Sequence, residues 1–336
     1  MADIAELDTA PETIEASLIY LADTGEKLVT QVADPGGRDQ RQGGGNETHR
    51  VTIRNGRVLA KSFEFEREGF RFVDSDTQIG NFYDEDEIRR VYYPECEALI
   101  KQVSGAKRVV VFDHTLRTAS DQQRESHKIR DIVSRVHNDY TEWSGPQRVR
   151  DIMGDEAETL LRGRFVIIQV WRPINHPVES HPLAICDAQT VRPESLVVNE
   201  RHYQDRVGQT YAITYDPEQR WYWFPRMRPD EALIFKVYES LRDGRARWTA
   251  HTAFADPHAR VFLRQGLPAL PLIRGGQYAD DRLFRDEPRA GRAGDGLDEL
   301  RHEYRGADRP DGDHLCDGVC RQHKPDRRHD RRDPDD

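Results

Sequence analysis

His137-Asn138-Asp139 is the only His-x-Asp in the chain. Imidazole and carboxylate both bind first-row metal ions, and residues two apart in an extended strand project from one face, so the triplet offers two ligands to one ion. A third must come from another segment. His251, in Arg247-Trp-Thr-Ala-His-Thr-Ala-Phe254, sits in a strand-like run near the end of an apolar-rich region and is the candidate. Two histidines and one carboxylate on one face of an ion leave three positions open, the arrangement with which iron(II) sites admit a cosubstrate and dioxygen. With 13 histidines and abundant Asp, about one His-x-Asp arises by chance. The triplet alone therefore does not separate a metal site from a surface His beside a solvated Asp.

The elements that would position these residues are mostly strands. From Arg108 onward, short apolar runs are separated by turn residues: Val109–Phe112, Phe165–Val170, Leu183–Ile185, Tyr211–Ile213, Trp221–Phe224 and Leu233–Tyr238. This spacing predicts an antiparallel sandwich or barrel. Ahead of it, Asn55-Gly56 between β-rich runs and the alternation of Phe63–Val73 predict hairpins. Asp84 to Ser104, acidic at its start, with Pro94 inside it and Gly105 just after it, predicts one helix or two meeting at Pro94. The fold class is mainly β with flanking helices (α+β). Aromatic residues on strands, such as Trp171, Trp221, Tyr222 and Trp223, fill a core more often than they line a pocket. Cys186 reads as a small buried residue rather than a nucleophile.

Composition bounds the rest. The 336 residues are 36% hydrophobic, enough for a sizeable core. Lys+Arg (50) and Asp+Glu (60) nearly balance at a net charge of −10, which gives no general attraction to nucleic acid or to an anionic membrane. No basic-then-apolar leader and no run of eighteen apolar residues is present, and the four cysteines form no disulfide framework, so a cytoplasmic location is expected. Residues 1–50, polar and glycine-bearing, read as a flexible arm. The Arg/Asp-rich stretch 276–336 reads as disordered or aberrant. Within it His314, Cys316, Cys320 and His323 have zinc-like spacing but no apolar surround to fold around an ion.

Seven blocks, in order, resemble the CmcJ/NvfI family of oxidoreductases: Val109-Val-Val-Phe-Asp-His-Thr-Leu-Arg117, Val136-His-Asn-Asp-Tyr-Thr141, Val170-Trp-Arg-Pro-Ile174, Pro182-Leu-Ala-Ile-Cys-Asp187, Trp223-Phe-Pro225, Glu231-Ala-Leu-Ile-Phe-Lys236 and His251-Thr-Ala-Phe-Ala-Asp-Pro257. They cover roughly residues 80–257. The resemblance implies an oxygenase-like domain over 51–275 with a double-stranded β-helix (jelly-roll) core. It further implies Fe(2+) held by His137, Asp139 and His251, and 2-oxoglutarate as cosubstrate. The reaction would be hydroxylation or desaturation of a small organic secondary metabolite by dioxygen, with no catalytic residue beyond the metal ligands. Arg172 is a candidate for a two-pronged bond to a carboxylate, and His114, Arg117 and Tyr140 are candidates for the substrate pocket.

After Pro257 the family pattern stops. The family continues into an arginine-bearing strand expected to grip the cosubstrate carboxylate. Here only Arg260 and Arg264 lie near enough to substitute, and neither has the expected serine two positions on. Either the terminus has diverged or the gene is read out of frame there. The second case would remove the last core strand and leave a jelly-roll binding protein with an incomplete cosubstrate site.

Overall fold

A computed structural model describes residues 10–118 and 130–258, apart from Pro35, Gly36 and Arg38, and the backbone of 272–280. In chain order the elements are β1 (Thr13–Ala22), β2 (Leu28–Gln31), β3 (Gln40–Gln42), β4 (Gly45–Asn55), β5 (Phe70–Asp74), helix α1 (Tyr93–Ser104), β6 (Arg108–Thr118), β7 (Arg130–Asp131) and β8 (His137–Asn138). Helix α2 (Ser144–Met153) follows, then β9 (Phe165–Pro173), β10 (Leu183–Cys186), β11 (Leu196–His202), β12 (Val207–Ile213), β13 (Trp221–Trp223), β14 (Glu231–Glu239), β15 (His251–Ala253) and β16 (Leu272–Asp280). All six apolar runs lie on strands, from β6 to β14. They form two sheets, ordered β1-β4-β13-β10-β15-β8-β12-β11-β2-β3 and β5-β14-β9-β16-β6-β7. The larger one is mixed and curls, bringing Ile19 of β1 into a bridge with Arg135 just before β8.

Strands β9 and β14 are buried on both faces. One face carries Phe165, Ile167, Trp171, Leu233 and Phe235 against Leu183, Ile185, Tyr222 and Phe224 of the larger sheet. The other carries Val166, Ile168, Val170 and Ile234 against Tyr92, Cys96 and Ile100 of the helical segment. At roughly 1.5–3 kcal/mol for each large apolar side chain removed from water, these two layers hold the sheets face to face and the helix behind them. Trp221, Trp223 and Cys186 pack instead on the far side of the larger sheet, with Leu18 and Tyr20.

The helical segment follows its caps. The Asp84 carboxylate accepts from the Asp86 and Glu87 amides, and Gly105 closes α1 in the left-handed conformation at φ 72°. Between them Ile88–Tyr92 widens into a π turn just before Pro94, whose ring cannot donate to the turn behind it.

Four expectations change. Much of the stretch 1–50 read as a flexible arm is strand: β1 alternates exposed and buried along its length, and Leu18, Tyr20 and Leu21 are fully covered. No hairpin forms across Asn55-Gly56, because β4 pairs with β1 and β13 and the Gly56 amide donates to the Trp223 carbonyl. A Cβ at Gly56 would sit 2.7 Å from the Phe224 ring, which is what requires glycine there. Of Phe63–Val73 only the last residues are strand, β5, paired with β14 while Phe63 turns into the core. The backbone of β16 lies between β9 and β6, past the 275 boundary read from the sequence, so the smaller sheet is continuous there. Among the described residues no helix is long and apolar enough to cross a membrane.

Candidate metal centre

Sheet register assembles the site. His251 of β15 pairs directly with His137 of β8, and residues directly opposite across an antiparallel pair share a face. Their rings lie 4.3 Å apart between centroids. Strand β8 ends at Asn138, and a bend there turns the Asp139 carboxylate toward both rings. Asp139 Oδ1 lies 3.6 Å from His137 Nε2 and Oδ2 lies 3.7 Å from His251 Nε2.

Asn138, the central residue of the triplet, ties this arrangement together. Its side chain is fully buried; Nδ2 donates to the carbonyls of Tyr140 (2.8 Å) and Val237 (2.9 Å), and Oδ1 accepts from the Thr249 amide at 3.2 Å. One amide thus fixes the bend at Asp139, strand β14 and the approach to His251. All its polar capacity goes to backbone, which is how a buried amide avoids a desolvation penalty.

The donor set fits a divalent iron ion. His137 Nδ1 donates to the Arg135 carbonyl (2.8 Å) and His251 Nδ1 to the Thr249 carbonyl (2.9 Å). Carbonyls only accept, so Nδ1 carries the proton and Nε2 presents its lone pair on the side where the rings face Asp139. Burial pushes the His251 imidazolium down to about 4, with the nearby Arg117 charge acting the same way, so this ring is neutral at physiological pH. Two donors each 2.0–2.2 Å from one ion stand no more than about 4.4 Å apart, and both measured separations satisfy that limit. All three ligand atoms lie within 4.8 Å of one another.

Gln169, which the sequence reading did not select, orients the carboxylate: Nε2 donates to Asp139 Oδ2 at 3.1 Å from the inward face of β9. Its partner lies thirty positions earlier in the chain, so no local pattern marks it. Gln169→Leu is expected to lower iron(II) affinity about 10- to 100-fold, in line with the loss of other groups that orient metal ligands. Competition against a chromophoric chelator measures this, with urea unfolding as the stability control. An unchanged affinity would remove Gln169 from the site.

A small cavity opens against His137 and His251, walled by Trp171, His181, Leu183, Phe235, Ala253 and Arg117. Apolar walls with one guanidinium suit a small dicarboxylate such as 2-oxoglutarate. A wider cleft continues outward past Asp139, Tyr140, Trp143 and Arg148. Tyr140 walls that cleft, its hydroxyl pushed up to about 12 by burial. His114 borders it too, but both ring nitrogens are engaged, by Tyr93 Oη at 2.8 Å and Glu85 at 3.0 Å, away from the triad.

Arg172 is not brought to the triad. Trp171 faces the cavity, so its neighbour in the strand points the other way. Arg172 is 1% exposed behind the sheet, donating to Ser75 Oγ at 2.8 Å, with its guanidinium 5.3 Å from the Tyr92 ring centroid. Arg260, Arg264 and the His314–His323 cluster lie outside the described residues.

A family model described as an oxidoreductase/YMDC permease-like domain matches residues 18–265. An Fe(II)/2-oxoglutarate-dependent dioxygenase of Aspergillus novofumigatus, nvfI, is 31% identical over 72% of this chain and 89% of its own length. The hydroxylase/desaturase efuI of Hormonema carpetanum is 30% identical over 62% of this chain and 77% of its own. The solved structure of the iron and alpha-ketoglutarate-dependent endoperoxidase NvfI superposes with a TM-score of 0.70 at 26% identity, covering 81% of this chain and 99% of that one. The family match takes in the N-terminal strands as well as the triad, and the chain belongs to the CmcJ/NvfI family of oxidoreductases.

Proposed function

We propose that the chain is a non-haem iron(II), 2-oxoglutarate-dependent dioxygenase that hydroxylates or desaturates a small organic secondary metabolite, with His137, Asp139 and His251 as the iron ligands. The observation that carries this is the convergence of two Nε2 atoms and one carboxylate, each oriented by a hydrogen bond from behind, on a cavity that continues to the surface. Iron(II) held by His137, Asp139 and His251 would, with 2-oxoglutarate and dioxygen, supply the oxidising power to hydroxylate or desaturate an aliphatic carbon.

The chain's own residues do the positioning. The carbonyls of Arg135 and Thr249 hold each imidazole in the tautomer that offers Nε2. Gln169 holds the carboxylate. Phe235, its ring 4.8 Å from that of His251, and Trp171 keep water from the inner wall. Removing water strengthens every electrostatic contact inside the site. The inner cavity takes the cosubstrate, and the outer cleft, walled by Tyr140, Trp143 and Arg148, takes the metabolite.

Adding 2-oxoglutarate to the iron(II)-loaded chain without air is expected to produce a weak visible absorption band that neither addition gives alone. A chain that takes up iron(II) and shows no band on adding 2-oxoglutarate would contradict the proposal.

A further inference from the structure

The cleft-facing side of the larger sheet carries an ordered row of side chains leading away from the triad. Ala212 of β12 lies directly opposite His137 of β8. Outward by twos along β12, Thr210 and Gly208 keep the same face, and β11 sets Asn199 opposite Thr210 and Arg201 opposite Gly208. Beyond β11, Thr30 of β2 pairs with Arg201 on one side and with Arg41 of β3 on the other. Asn199 Nδ2 donates to Thr210 Oγ1 at 3.3 Å, and Thr30 Oγ1 donates to Asn199 Oδ1 at 3.1 Å, so the middle of the row is a bonded polar strip. Ala212, Thr210, Asn199, Arg201 and Arg41 all line the outer cleft.

Cations gather at the far end of this row. Arg135, just before β8, lines the cleft with Arg41 and Arg201. Its Nη2 donates to Asn46 Oδ1, whereas its buried Nε finds no acceptor among the described residues. Burial pulls the Arg135 guanidinium down to about 10, and the nearby Arg41 charge acts in the same direction. Arg41 makes no hydrogen bond or ion pair among the described residues. The carboxylate bonded to this group is Asp39, whose Oδ2 accepts from Arg201 Nη2 at 2.9 Å while Oδ1 accepts from the Ala33 amide at 3.1 Å. Of the cleft's other carboxylates, Asp139 belongs to the triad, Glu85 is bonded to His114 and Asp34 accepts from Gln204 at 3.1 Å. Three guanidinium groups thus share one bonded carboxylate, and like charges held together are relieved by a further anion.

We infer that Arg41, Arg135 and Arg201 form an outer anion subsite, and that the metabolite oxidised here carries an oxyanion, a carboxylate or a phosphate, at the end remote from the reacting carbon. The inference rests on the iron(II)/2-oxoglutarate reading above and names the substrate class of that site. Guanidinium groups meet either oxyanion through paired N–H donors. The sheet sets the length of the substrate. Arg201 stands two strands from β8 and four residues beyond Val197, which lies opposite Ala212. That is about 10 Å across the sheet and about 13 Å along it, so with the reach of the side chain the anion sits on the order of 10–15 Å from the metal. A short acid cannot meet both ends, and an elongated one passes over the polar strip of Asn199 and Thr210.

The test titrates decanoate, decyl phosphate and uncharged 1-decanol, below micelle formation, into the anaerobic full chain already loaded with iron(II) and 2-oxoglutarate. Calorimetry reads affinity, and the visible band reads arrival of the far end of the probe at the metal. The wild-type chain is expected to bind at least one of the two anions about 10-fold or more tightly than the alcohol, the range of a charge-assisted bond. The tighter of the two identifies the head group. Decanoate should shift the band and butanoate should leave it unchanged. Arg41→Gln combined with Arg135→Gln should bring the anions to within about 3-fold of the alcohol, with the alcohol itself unaffected.

Equal affinity of the wild-type chain for anions and alcohol, or no binding of any probe, would overturn the inference, as would a band that tightly bound decanoate leaves unshifted. Equal weakening of anions and alcohol in the double variant, the sign of a purely structural role, would do the same. So would loss of the preference in Arg148→Gln, whose guanidinium lies 4.9 Å over the Phe112 ring, but not in the double variant. If the double variant fails to fold, as read by circular dichroism, Arg41→Gln alone decides, and an unchanged preference there would overturn the inference. A wild-type chain that takes up no iron, or gives no band with 2-oxoglutarate before any probe is added, would instead defeat the underlying reading and this inference with it.

Discussion

His137→Ala and Asp139→Ala each abolish turnover and empty the chain of iron while the fold persists. Their side chains are only 14% and 15% exposed, but they border a cavity and a cleft rather than filling a packed layer, so truncation leaves little new void. Either change is expected to stay within about 1 kcal/mol of the wild-type stability. Losing one of three protein ligands removes a bond and undoes the geometry that makes the others cooperate. Iron per chain, measured after anaerobic loading and desalting, should fall from near one to near zero in both variants, with unfolding midpoints close to the wild type. Unchanged iron stoichiometry in both would refute the assignment. His251→Ala should also lose iron but cost more stability, because that side chain is 2% exposed against Phe235 and its removal opens a cavity.

Ending the chain at residue 257 strongly destabilises the fold, whereas ending it at 280 does not. The smaller sheet is continuous only through β16, whose backbone pairs along nine positions with β9 on one side and with β6 on the other. Without it, β9, buried on both faces, faces empty space along one edge with unpaired N–H and C=O groups, each costing on the order of 1–3 kcal/mol where water cannot reach. A drop of about 10 °C or more in melting temperature, or aggregation, is expected for the chain ending at 257. Beyond 280 the Arg/Asp-rich composition brings too few apolar residues to offset an ordering entropy of about 1–2 kcal/mol per residue. Thermal unfolding of both truncations decides. Equal midpoints for both and for the full chain would place nothing after Pro257 in the fold, and a large loss on cutting at 280 would show that the tail contributes to it.

Strands of the core were legible because burial on both faces demands continuous apolar runs such as Phe165–Val170, and the helix because Asp84, Pro94 and Gly105 punctuate it. The N-terminal strands were missed although Ile14, Ala16, Leu18 and Tyr20 repeat at period two, because polar and glycine-rich neighbours outweighed that short signal. Hairpins across Asn55-Gly56 and Phe63–Val73 failed for a different reason. Both segments take partners from far along the chain, β13 and β14, which turn residues do not encode.

The site divides in the same way. The ligand types were readable from the triplet and from the resemblance, but the pairing of His137 with His251 is a matter of register between distant strands. Arg172 has the side-chain type of a carboxylate clamp, but strand parity gives the inward face to Trp171, one position earlier. Asn138 reaches the Val237 carbonyl and Gln169 reaches Asp139, pairings remote in sequence that no local pattern announces.

The central claim is that one iron ion sits among His137, Asp139 and His251. An anomalous difference map, recorded on either side of the iron absorption edge from crystals loaded anaerobically, tests it without reference to any substrate. A single peak is expected within about 2.0–2.2 Å of His137 Nε2, a carboxylate oxygen of Asp139 and His251 Nε2. A loaded crystal with no peak there, or with its iron held by other residues, would contradict the account.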